Sequence, residues 1–353
     1  MRWILKFMTT LLGLLSMTAC ENGILTDAPQ NKPVEERRVV LLDVLGNVYD
    51  QTGKLVSKLP NCEFASQIIA DGEDWFVSGS ESNGRIGYWK NGKWNTLHVD
   101  DLDDVDHTIY GMGKWDSYMY LFDYPKVLKN SGIFRLEDSD NFIPANMAIS
   151  VSIGNVYVVG QMLEGSTEDG TSQHVPVLYT EHKGVFTCER LPMPEGTTVG
   201  ECTGVHAYDG SHTVICGSAD YQATVWVDKV PQLLPLTLAP DLKFDDIIRR
   251  SIANGTTVCG GKVYVGGYEL DNDLKMVATV WCDGVPLRPV SGDPRFPSSI
   301  VQEVEAYGDD IYYLTVEFGV DEEDNDISTT ILWMNGNIIA RFADIVAVNF
   351  AVL

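Results

Sequence analysis

Four side chains in this sequence could move protons or hold a polar ligand. They are His107, His206, Arg250 and Glu305. Imidazole and carboxyl groups act as general acids and bases, and a guanidinium group holds anions. The four are far apart in the sequence, so only a fold that brings distant segments together would make one site of them. We predict that they lie around one mouth of a central channel, where they either carry chemistry or simply line a polar opening.

Acidic residues form two dense runs, 100–106 and 321–326. Closely spaced carboxylates suit calcium, a hard cation that binds several oxygen ligands. Neither run has the glycine and the distal glutamate of an EF-hand loop, so solvated loop charge is the alternative interpretation. Calcium is the one cofactor that the sequence suggests. Its predicted ligands are Asp100, Asp101, Asp103, Asp104, Asp321, Asp324 and Asp326.

Three tyrosines lie in or beside predicted loops, namely Tyr124, Tyr221 and Tyr268. An aromatic ring with a polar tip can stack on a sugar or a peptide while its hydroxyl stays in water. We therefore predict these rings as loop contacts for a ligand.

The elements that position these residues belong to a repeat. One unit of strands and turns recurs along the chain. The unit has two strand-like runs joined by a turn, a loop, a third run that ends in an aromatic residue, a tight turn and a last run. Turn signals such as Asn91-Gly92 supply the positive φ that a two-residue hairpin needs. The third runs end, at intervals of roughly 40 to 55 residues, in Tyr49, Trp89, Phe134, Tyr179, Trp226, Trp281 and Trp333. We predict the four tryptophans of this set in the core.

Seven such runs predict an all-β chain folded as a seven-bladed β-propeller. The first unit has only three predicted strands, at 38–44, 46–50 and 54–59, and the chain ends on a single strand at 345–352. An open sheet edge is a template for aggregation, so we expect the last strand to complete the first blade. A six-bladed ring with an additional hairpin is the alternative.

The two ends of such a ring differ in this sequence. Turns between first and second strands, such as Asp71-Gly72, share one end with the hairpins of the Asn91-Gly92 type, and we call this end the short-turn face. The connections between second and third strands and between blades share the other end, the long-loop face, to which the acidic runs belong. Binding residues concentrate in loops on a rigid scaffold. We therefore predict that the long-loop face is functional and strongly electronegative.

Charge limits the partners of this chain. It has 50 Asp and Glu residues against 25 Lys and Arg, a formal net charge of −25. No basic stripe is present that could neutralise phosphates, which argues against nucleic acid as a partner. The charge favours a cationic protein or peptide, and a glycan bound through calcium is a further candidate.

The first residues have the pattern of a secretory signal, with a basic start and an apolar run too short to span a bilayer. The segment ends in Ala19-Cys20, which resembles the lipobox of bacterial lipoproteins, although Met17 stands where that box usually has leucine. The resemblance implies cleavage before Cys20 and lipidation of its thiol with acyl chains such as palmitate. An ordinary secretory signal is the alternative. We predict a signal peptide at 1–19, a lipidated tether at 20–37 and the propeller domain at 38–353.

Two segments of one unit, 262–269 and 278–284, read KVYVGGYE and ATVWCDG. They resemble repeats of uncharacterised envelope lipoproteins of Bacteroides-type bacteria, which run like VYVAGYE and ATVWKNG. The resemblance implies a propeller in the cell envelope, held at the outer membrane through the lipid. It implies no activity.

The sequence leaves three functions open. The favoured one is a membrane-anchored, non-catalytic binding module whose acidic long-loop face takes a cationic protein, a peptide or a glycan. The second is a structural subunit of an outer-membrane complex. The third is an envelope enzyme that acts on polysaccharide, with Glu305 and the histidines as acid and base.

Overall fold

The chain folds as seven antiparallel sheets of four strands each. A computed structural model describes residues 37–97, 108–130, 132–137, 139–166, 172–240, 250–343 and 345–353. In these ranges the regular structure is strand alone, and there is no helix of the length and apolar character that crosses a membrane. The predicted all-β class is confirmed.

The strands follow one another blade by blade. Blade 1 contains β1 (Val39–Asp43), β2 (Asn47–Asp50) and β3 (Leu55–Lys58). Blade 2 contains β4 (Cys62–Asp71), β5 (Asp74–Glu81), β6 (Ile86–Lys90) and β7 (Lys93–Thr96). Blade 3 contains β8 (Ile109–Trp115), β9 (Tyr118–Asp123), β10 (Lys126–Lys129) and β11 (Gly132–Arg135). Blade 4 contains β12 (Phe142–Ser152), β13 (Asn155–Ser166), β14 (Ser172–His182) and β15 (Val185–Arg190).

The second half of the ring repeats the pattern. Blade 5 contains β16 (Gly200–Tyr208), β17 (His212–Ala219), β18 (Gln222–Val227) and β19 (Val230–Leu233). Blade 6 contains β20 (Ser251–Cys259), β21 (Lys262–Leu270), β22 (Met276–Cys282) and β23 (Val285–Leu287). Blade 7 contains β24 (Ser298–Tyr307), β25 (Asp310–Val320), β26 (Asp326–Met334) and β27 (Asn337–Ala343). The last strand is β28 (Ala347–Val352).

The first strands of the sheets close into a circle. β28 pairs antiparallel with β1, so that Val40 faces Ala351 and Leu42 faces Asn349. Around the ring, each innermost strand contacts the next, in the order β28, β4, β8, β12, β16, β20, β24 and back to β28. The protein is therefore a seven-bladed β-propeller whose first blade is completed by the C-terminal strand, as predicted. The six-bladed alternative is wrong.

Aromatic side chains of the third strands fill the space between blades. Trp89, Trp226 and Trp281 are completely buried and Trp333 almost completely, which removes a large apolar area from water in each blade. The assignment of Phe134 to a third strand is wrong, since Phe134 lies half-buried on the outer strand β11. The third strand of blade 3 is instead the short β10, which has no aromatic residue.

Hairpins at the short-turn face have the predicted left-handed backbone. Asn91 and Gly92 have φ values of 49° and 80°, and the Asn91 carboxamide oxygen accepts the backbone N–H of Trp75 at 3.0 Å. The same side-chain contact recurs in four further blades. There the acceptor and donor pairs are Asn130 with Met119, Asp228 with Thr213, Asp283 with Val263, and Asn335 with Ile311.

Glycines of the second strands face a bulge in the innermost strands. The register of all seven innermost strands shifts once or twice along the pairing, for example between Ala253 and Gly255. The shift turns the carbonyl group of Ile252 towards Gly267, where an added Cβ would lie 1.9 Å from the carbonyl oxygen. A side chain therefore does not fit there, which explains why glycine recurs at this place in the repeat.

The long-loop face differs from the prediction in where its long connections occur. In blades 3 and 5 the second and third strands are joined by only two residues, Tyr124-Pro125 and Asp220-Tyr221. Between blades the connections are longer, as in 191–199 and 288–297. The face is thus formed largely by the segments that lead from one blade into the next.

Candidate binding surfaces on the innermost strands and the long-loop face

Polar side chains connect the innermost strands to one another. Asn349 accepts the backbone N–H of Ile68 at 2.9 Å, and Gln67 accepts that of Met112 at 2.7 Å. Further round the ring, Ser150 accepts the N–H of Ala207 at 2.9 Å. These contacts cross from one blade to the next. Their role is to join blades, since each acceptor is buried and already occupied by a backbone donor.

A second series of contacts runs through the bulged residues of blades 5 to 7. Thr203 donates to the carbonyl oxygen of Ala253 at 2.5 Å, and Asn254 donates to that of Val301 at 2.9 Å. The next member is Gln302, only 1% exposed, whose Nε2 has no hydrogen-bond partner among the described residues. The series of donors therefore ends at blade 7 with a buried amide group.

His206 and Glu305 lie at the opposite end of the innermost strands from their predicted place. His206 faces Val214, close to the turn between β16 and β17, and Glu305 faces Tyr312, close to the turn between β24 and β25. Both turns belong to the short-turn face. The strands begin at Gly200 and Ser298, earlier than expected, which moves the two side chains away from the long-loop mouth.

Arg250 lies at the other end and His107 outside the described residues. The N–H of Arg250 donates to the carbonyl oxygen of Tyr221 at 3.0 Å, immediately before β20 begins. The Glu305 carboxylate accepts the N–H of Val352 at 3.5 Å, across the closing strand. The structure therefore does not gather His206, Arg250 and Glu305 into one group.

His206 is a buried, neutral imidazole. It is 3% exposed, it stacks on Tyr208 with a centroid distance of 6.1 Å, and its Nδ1 has no hydrogen-bond partner among the described residues. Burial lowers its pKa to about 4, because the charged form cannot be hydrated there. An imidazole of this kind is a weak base at neutral pH.

The acidic loop 321–326 uses its first carboxylate to shape a turn. Asp321 Oδ1 accepts the N–H groups of Glu323 at 2.8 Å and Asn325 at 2.9 Å, and Asp324 adopts a φ of 61°. Asp326 begins β26 and is exposed. Among the described residues no three His, Cys, Asp or Glu side chains are placed to hold a metal ion. The other predicted ligands, Asp100, Asp101, Asp103 and Asp104, lie outside the described residues.

The loop between β21 and β22 has the same construction. Asp271 Oδ1 accepts the N–H groups of Asp273 and Lys275, both at 2.9 Å, and Leu274 has a φ of 64°. The two loops are thus equivalent five-residue connections, 271–275 and 321–325, in neighbouring blades. Their leading carboxylates are engaged by backbone donors, while Asp273, Glu322 and Glu323 are exposed to solvent.

Buried glutamates on the second strands are the residues that the sequence analysis missed. Glu269 is fully buried, and its carboxylate accepts the N–H groups of Thr237 at 2.7 Å and Leu238 at 3.2 Å. It also forms an ion pair with Arg288 at 2.7 Å. These contacts hold the connection that leads into blade 6 against the blade itself.

The same arrangement recurs around the long-loop face. Glu317 accepts the N–H of Ser291 at 2.7 Å in the connection that leads into blade 7, and Glu81 contacts Asn61 and Arg85. In blade 5, Asp220 accepts the N–H groups of Thr198 at 3.0 Å and Val199 at 2.9 Å. A signal was present in the sequence, since Glu81 and Glu269 each follow a repeated glycine by two residues.

The three tyrosines are less available than predicted. Tyr268 is 4% exposed and packs with Ile252, Ile300 and Val316, because β21 continues through Leu270. Its prediction as a loop contact is therefore wrong. The Tyr124 hydroxyl donates to the Ser139 carbonyl at 2.6 Å, and its ring packs against Phe142. Tyr221 is half-buried in the two-residue turn of blade 5.

Among the described cysteines, Cys62, Cys202, Cys216 and Cys282 are free thiols. Cys202 and Cys216 are buried, and burial raises the pKa of the Cys216 thiol to about 12. Cys188 is exposed. Reactive thiols are accessible and acidic, so the buried pair has the properties of small core side chains. Cys20, the predicted lipidation site, lies outside the described residues.

Comparison with known proteins gives similarity to solved propellers only. No protein-family model matches the sequence, and no curated protein sequence matches it. A puromycin-hydrolysing peptidase of Mycobacterium tuberculosis is 12% identical with a TM-score of 0.48, over 86% of this chain and 51% of that one. AztD of Citrobacter koseri is 11% identical with a TM-score of 0.44, over 90% and 98% of the two chains.

A third similar structure is the Aleuria aurantia lectin in complex with α-methyl-L-fucoside. It is 12% identical with a TM-score of 0.40, over 80% of this chain and 94% of the lectin. The chain spans about half of the length of the mycobacterial peptidase. None of these similarities bears on a ligand or an activity of this chain.

Proposed function

We propose that this protein is a lipid-anchored binding module of the bacterial envelope, and that its long-loop face binds a cationic protein or peptide. The observation that carries the proposal is the set of carboxylates that fix the connections of this face to the blades, namely the buried Glu81, Glu269 and Glu317 and the half-buried Asp220. Because the loops are held before any partner arrives, little conformational entropy is lost on binding.

The exposed acids of the same face provide the attraction. Asp273, Glu322 and Glu323 are exposed and sit on two equivalent turns. Their negative charge would steer a basic partner to the face and would be screened by salt. Non-catalytic binding is the function that these observations support, since the candidate base His206 is buried and its pKa is lowered to about 4 by that burial, which makes it a weak base at neutral pH.

Calorimetric titration with an octalysine peptide tests the binding surface. The variant Asp273→Asn/Glu322→Gln/Glu323→Gln removes three exposed charges without touching a residue that fixes a loop. We expect its Kd to rise about tenfold in low salt, and the wild-type affinity to fall steeply with added NaCl.

The matched control removes three exposed acids from the short-turn face, as Glu73→Gln/Asp116→Asn/Asp309→Asn. Its Kd should change less than twofold. Equal losses in the two triple variants would show that the peptide responds to net charge alone and would refute the long-loop face as the binding surface.

The lipid anchor has a separate test. Cells fed an alkyne analogue of palmitate should label the wild-type protein and should leave a Cys20→Ala variant unlabelled. Equal labelling of the two would place any acyl chain elsewhere, and no labelling of either would leave the protein without an anchor. Cell fractionation of the wild-type protein would then test the proposed outer-membrane location.

A further inference from the structure

The chain enters the propeller at the short-turn face. β1 starts at Val39, which pairs with Val352 at the end of β28. The backbone groups of Arg38 and Leu353 are hydrogen-bonded to each other just before this pair. The Arg37 side chain is buried, forms an ion pair with Asp310 and donates to the Tyr312 hydroxyl at 3.1 Å. The point of attachment of residues 1–36 is therefore fixed between blades 7 and 1.

Aliphatic side chains are exposed on the same face, at one equivalent position of the blade. The first or second residue of the outer strand is aliphatic and between 38% and 67% exposed in five consecutive blades. These residues are Val185, Val230, Val285, Ile338 and Leu55, in blades 4, 5, 6, 7 and 1. We call them the apolar arc. The attachment point at Arg37 lies within the span of this arc.

Basic side chains accompany the apolar arc. Exposed lysines and arginines of the short-turn face are Arg38, Lys54, Lys90, Lys93, Lys183 and Lys262. The long-loop face, in contrast, carries the acidic turns of blades 6 and 7 with Asp273, Glu322 and Glu323. The short-turn face also carries exposed acids, among them Glu73, Asp116 and Asp309, so its charge is mixed, and an anionic bilayer surface repels it less than it repels the acidic turns of the long-loop face. Aliphatic side chains with nearby lysines are the composition that inserts at the headgroup level.

From these observations we infer that the short-turn face rests on the surface of the phospholipid bilayer, with the apolar arc in the headgroup region and the long-loop face directed away from the membrane. The inference rests on the lipid anchor at Cys20 proposed above. A chain of residues 21–36 spans at most about 60 Å, so the anchor alone would not choose which face meets the bilayer. The chemistry of the short-turn face makes that choice.

Site-specific fluorescence quenching in vesicles tests this orientation. The full-length lipidated protein is reconstituted into phosphatidylcholine vesicles that contain one quarter phosphatidylglycerol and a lipid carrying a quencher at the headgroup boundary. A Cys188→Ser background removes the exposed native thiol. Single labelled cysteines then report on the short-turn face, as Val230→Cys and Val285→Cys, or on the long-loop face, as Leu274→Cys and Val320→Cys. All four positions carry exposed aliphatic residues in the wild type.

The expected result is strong quenching and a blue-shifted emission at positions 230 and 285, with neither effect at positions 274 and 320. Equal quenching at all four positions, or quenching only at 274 and 320, would overturn the inference while the protein still floats with the vesicles. A protein that fails to float would overturn the lipid anchor and this inference together. The flotation step therefore separates the two failures.

Discussion

The two faces of the ring are held in place by different kinds of hydrogen bond. At the short-turn face, the side chain of a turn residue such as Asn91 accepts an N–H from the second strand of its own blade, at Trp75. At the long-loop face, the Glu269 carboxylate accepts N–H groups of Thr237 and Leu238, in the connection from the preceding blade. The first contact stays within one blade, whereas the second joins a blade to the connection that leads into it and has a fully buried acceptor.

This difference has an energetic consequence. A turn asparagine that loses its partner can still be hydrated, so the loss costs about 1 kcal/mol. The Glu269 carboxylate is fully buried and the side chain of its partner Arg288 is 23% exposed, so removing the carboxylate leaves a largely buried guanidinium and two backbone N–H groups without their acceptor, at a cost of about 3 to 5 kcal/mol. The long-loop face should therefore depend on a few residues and the short-turn face on many small contributions.

The largest expected effect follows from removal of the Glu269 carboxylate. Glu269→Ala leaves the Arg288 guanidinium and two backbone N–H groups without their acceptor, so the free energy of unfolding should fall by about 4 kcal/mol. Urea denaturation of the two proteins measures the difference. Asp273→Ala, which removes an exposed acid from the adjacent turn, should change it by less than about 0.5 kcal/mol. Similar values for the two variants would contradict the role of Glu269 in fixing the connection.

Gly267→Ala should have the next largest effect. The added Cβ would lie 1.9 Å from the Ile252 carbonyl oxygen, so the bulge of β20 would have to shift, at a cost of about 3 kcal/mol. The matched control is Gly132→Ala on β11, where the nearest atom to a new Cβ is 3.6 Å away. This control should be close to neutral. A Gly267→Ala protein as stable as the wild type in urea would show that the bulge is not constrained.

Much of the fold could be predicted because its signals are local. The aromatic residue and the Asn-Gly or Asp-Gly turn lie within a few residues of each other, as in Trp89 with Asn91 and Trp333 with Asn335. Blade 3 shows the limit of this pattern. Its third strand, β10, has no aromatic residue, and the segment around Phe134 on β11 was predicted as the third strand instead. The closing strand was predictable because the first unit lacked a fourth strand.

The candidate sites could be predicted only in part, because their contacts join segments with no pattern between them. Polar residues such as Thr203 and Gln302 interrupt the apolar runs of the innermost strands, so the starts of β16 and β24 were not apparent. His206 and Glu305 were consequently assigned to the wrong end of the strands. All acids of the long-loop face were predicted to be loop charges, whereas Glu269 is buried and bonded to the connection into blade 6 and Glu323 is exposed.

The pH dependence of stability tests the short-turn end of the innermost strands. Burial lowers the pKa of His206 to about 4. As the pH falls below about 6.5, this imidazole therefore becomes protonated in the unfolded chain while it stays neutral in the folded protein. The contribution of His206 to the free energy of unfolding is therefore complete above about pH 6.5 and is lost as the pH falls towards 4. Between pH 7 and pH 5 the loss should be about 2 kcal/mol.

His206→Gln should lack this part of the pH dependence, whatever its stability at pH 7. The variant His212→Gln is the control, because His212 is exposed and pairs with Asp228 at the surface. Urea denaturation at pH 7, 6 and 5 gives the slopes. A His206→Gln protein that loses as much stability as the wild type on acidification would show that this imidazole is hydrated in the folded state.

The smallest expected effect is a gain at the hairpin of blade 4, whose turn residue is unsuitable. Lys183 holds a φ of 53° at the position of Asn91, and its side chain has no acceptor to offer the second residue of β13, Val156. Lys183→Asn should stabilise the protein by about 0.5 to 1 kcal/mol, since asparagine tolerates this backbone and supplies the acceptor. Lys183→Ala should give no such gain. If the two variants have the same midpoint in urea, the side-chain contact adds nothing to these hairpins, and their stability resides in the backbone turn alone.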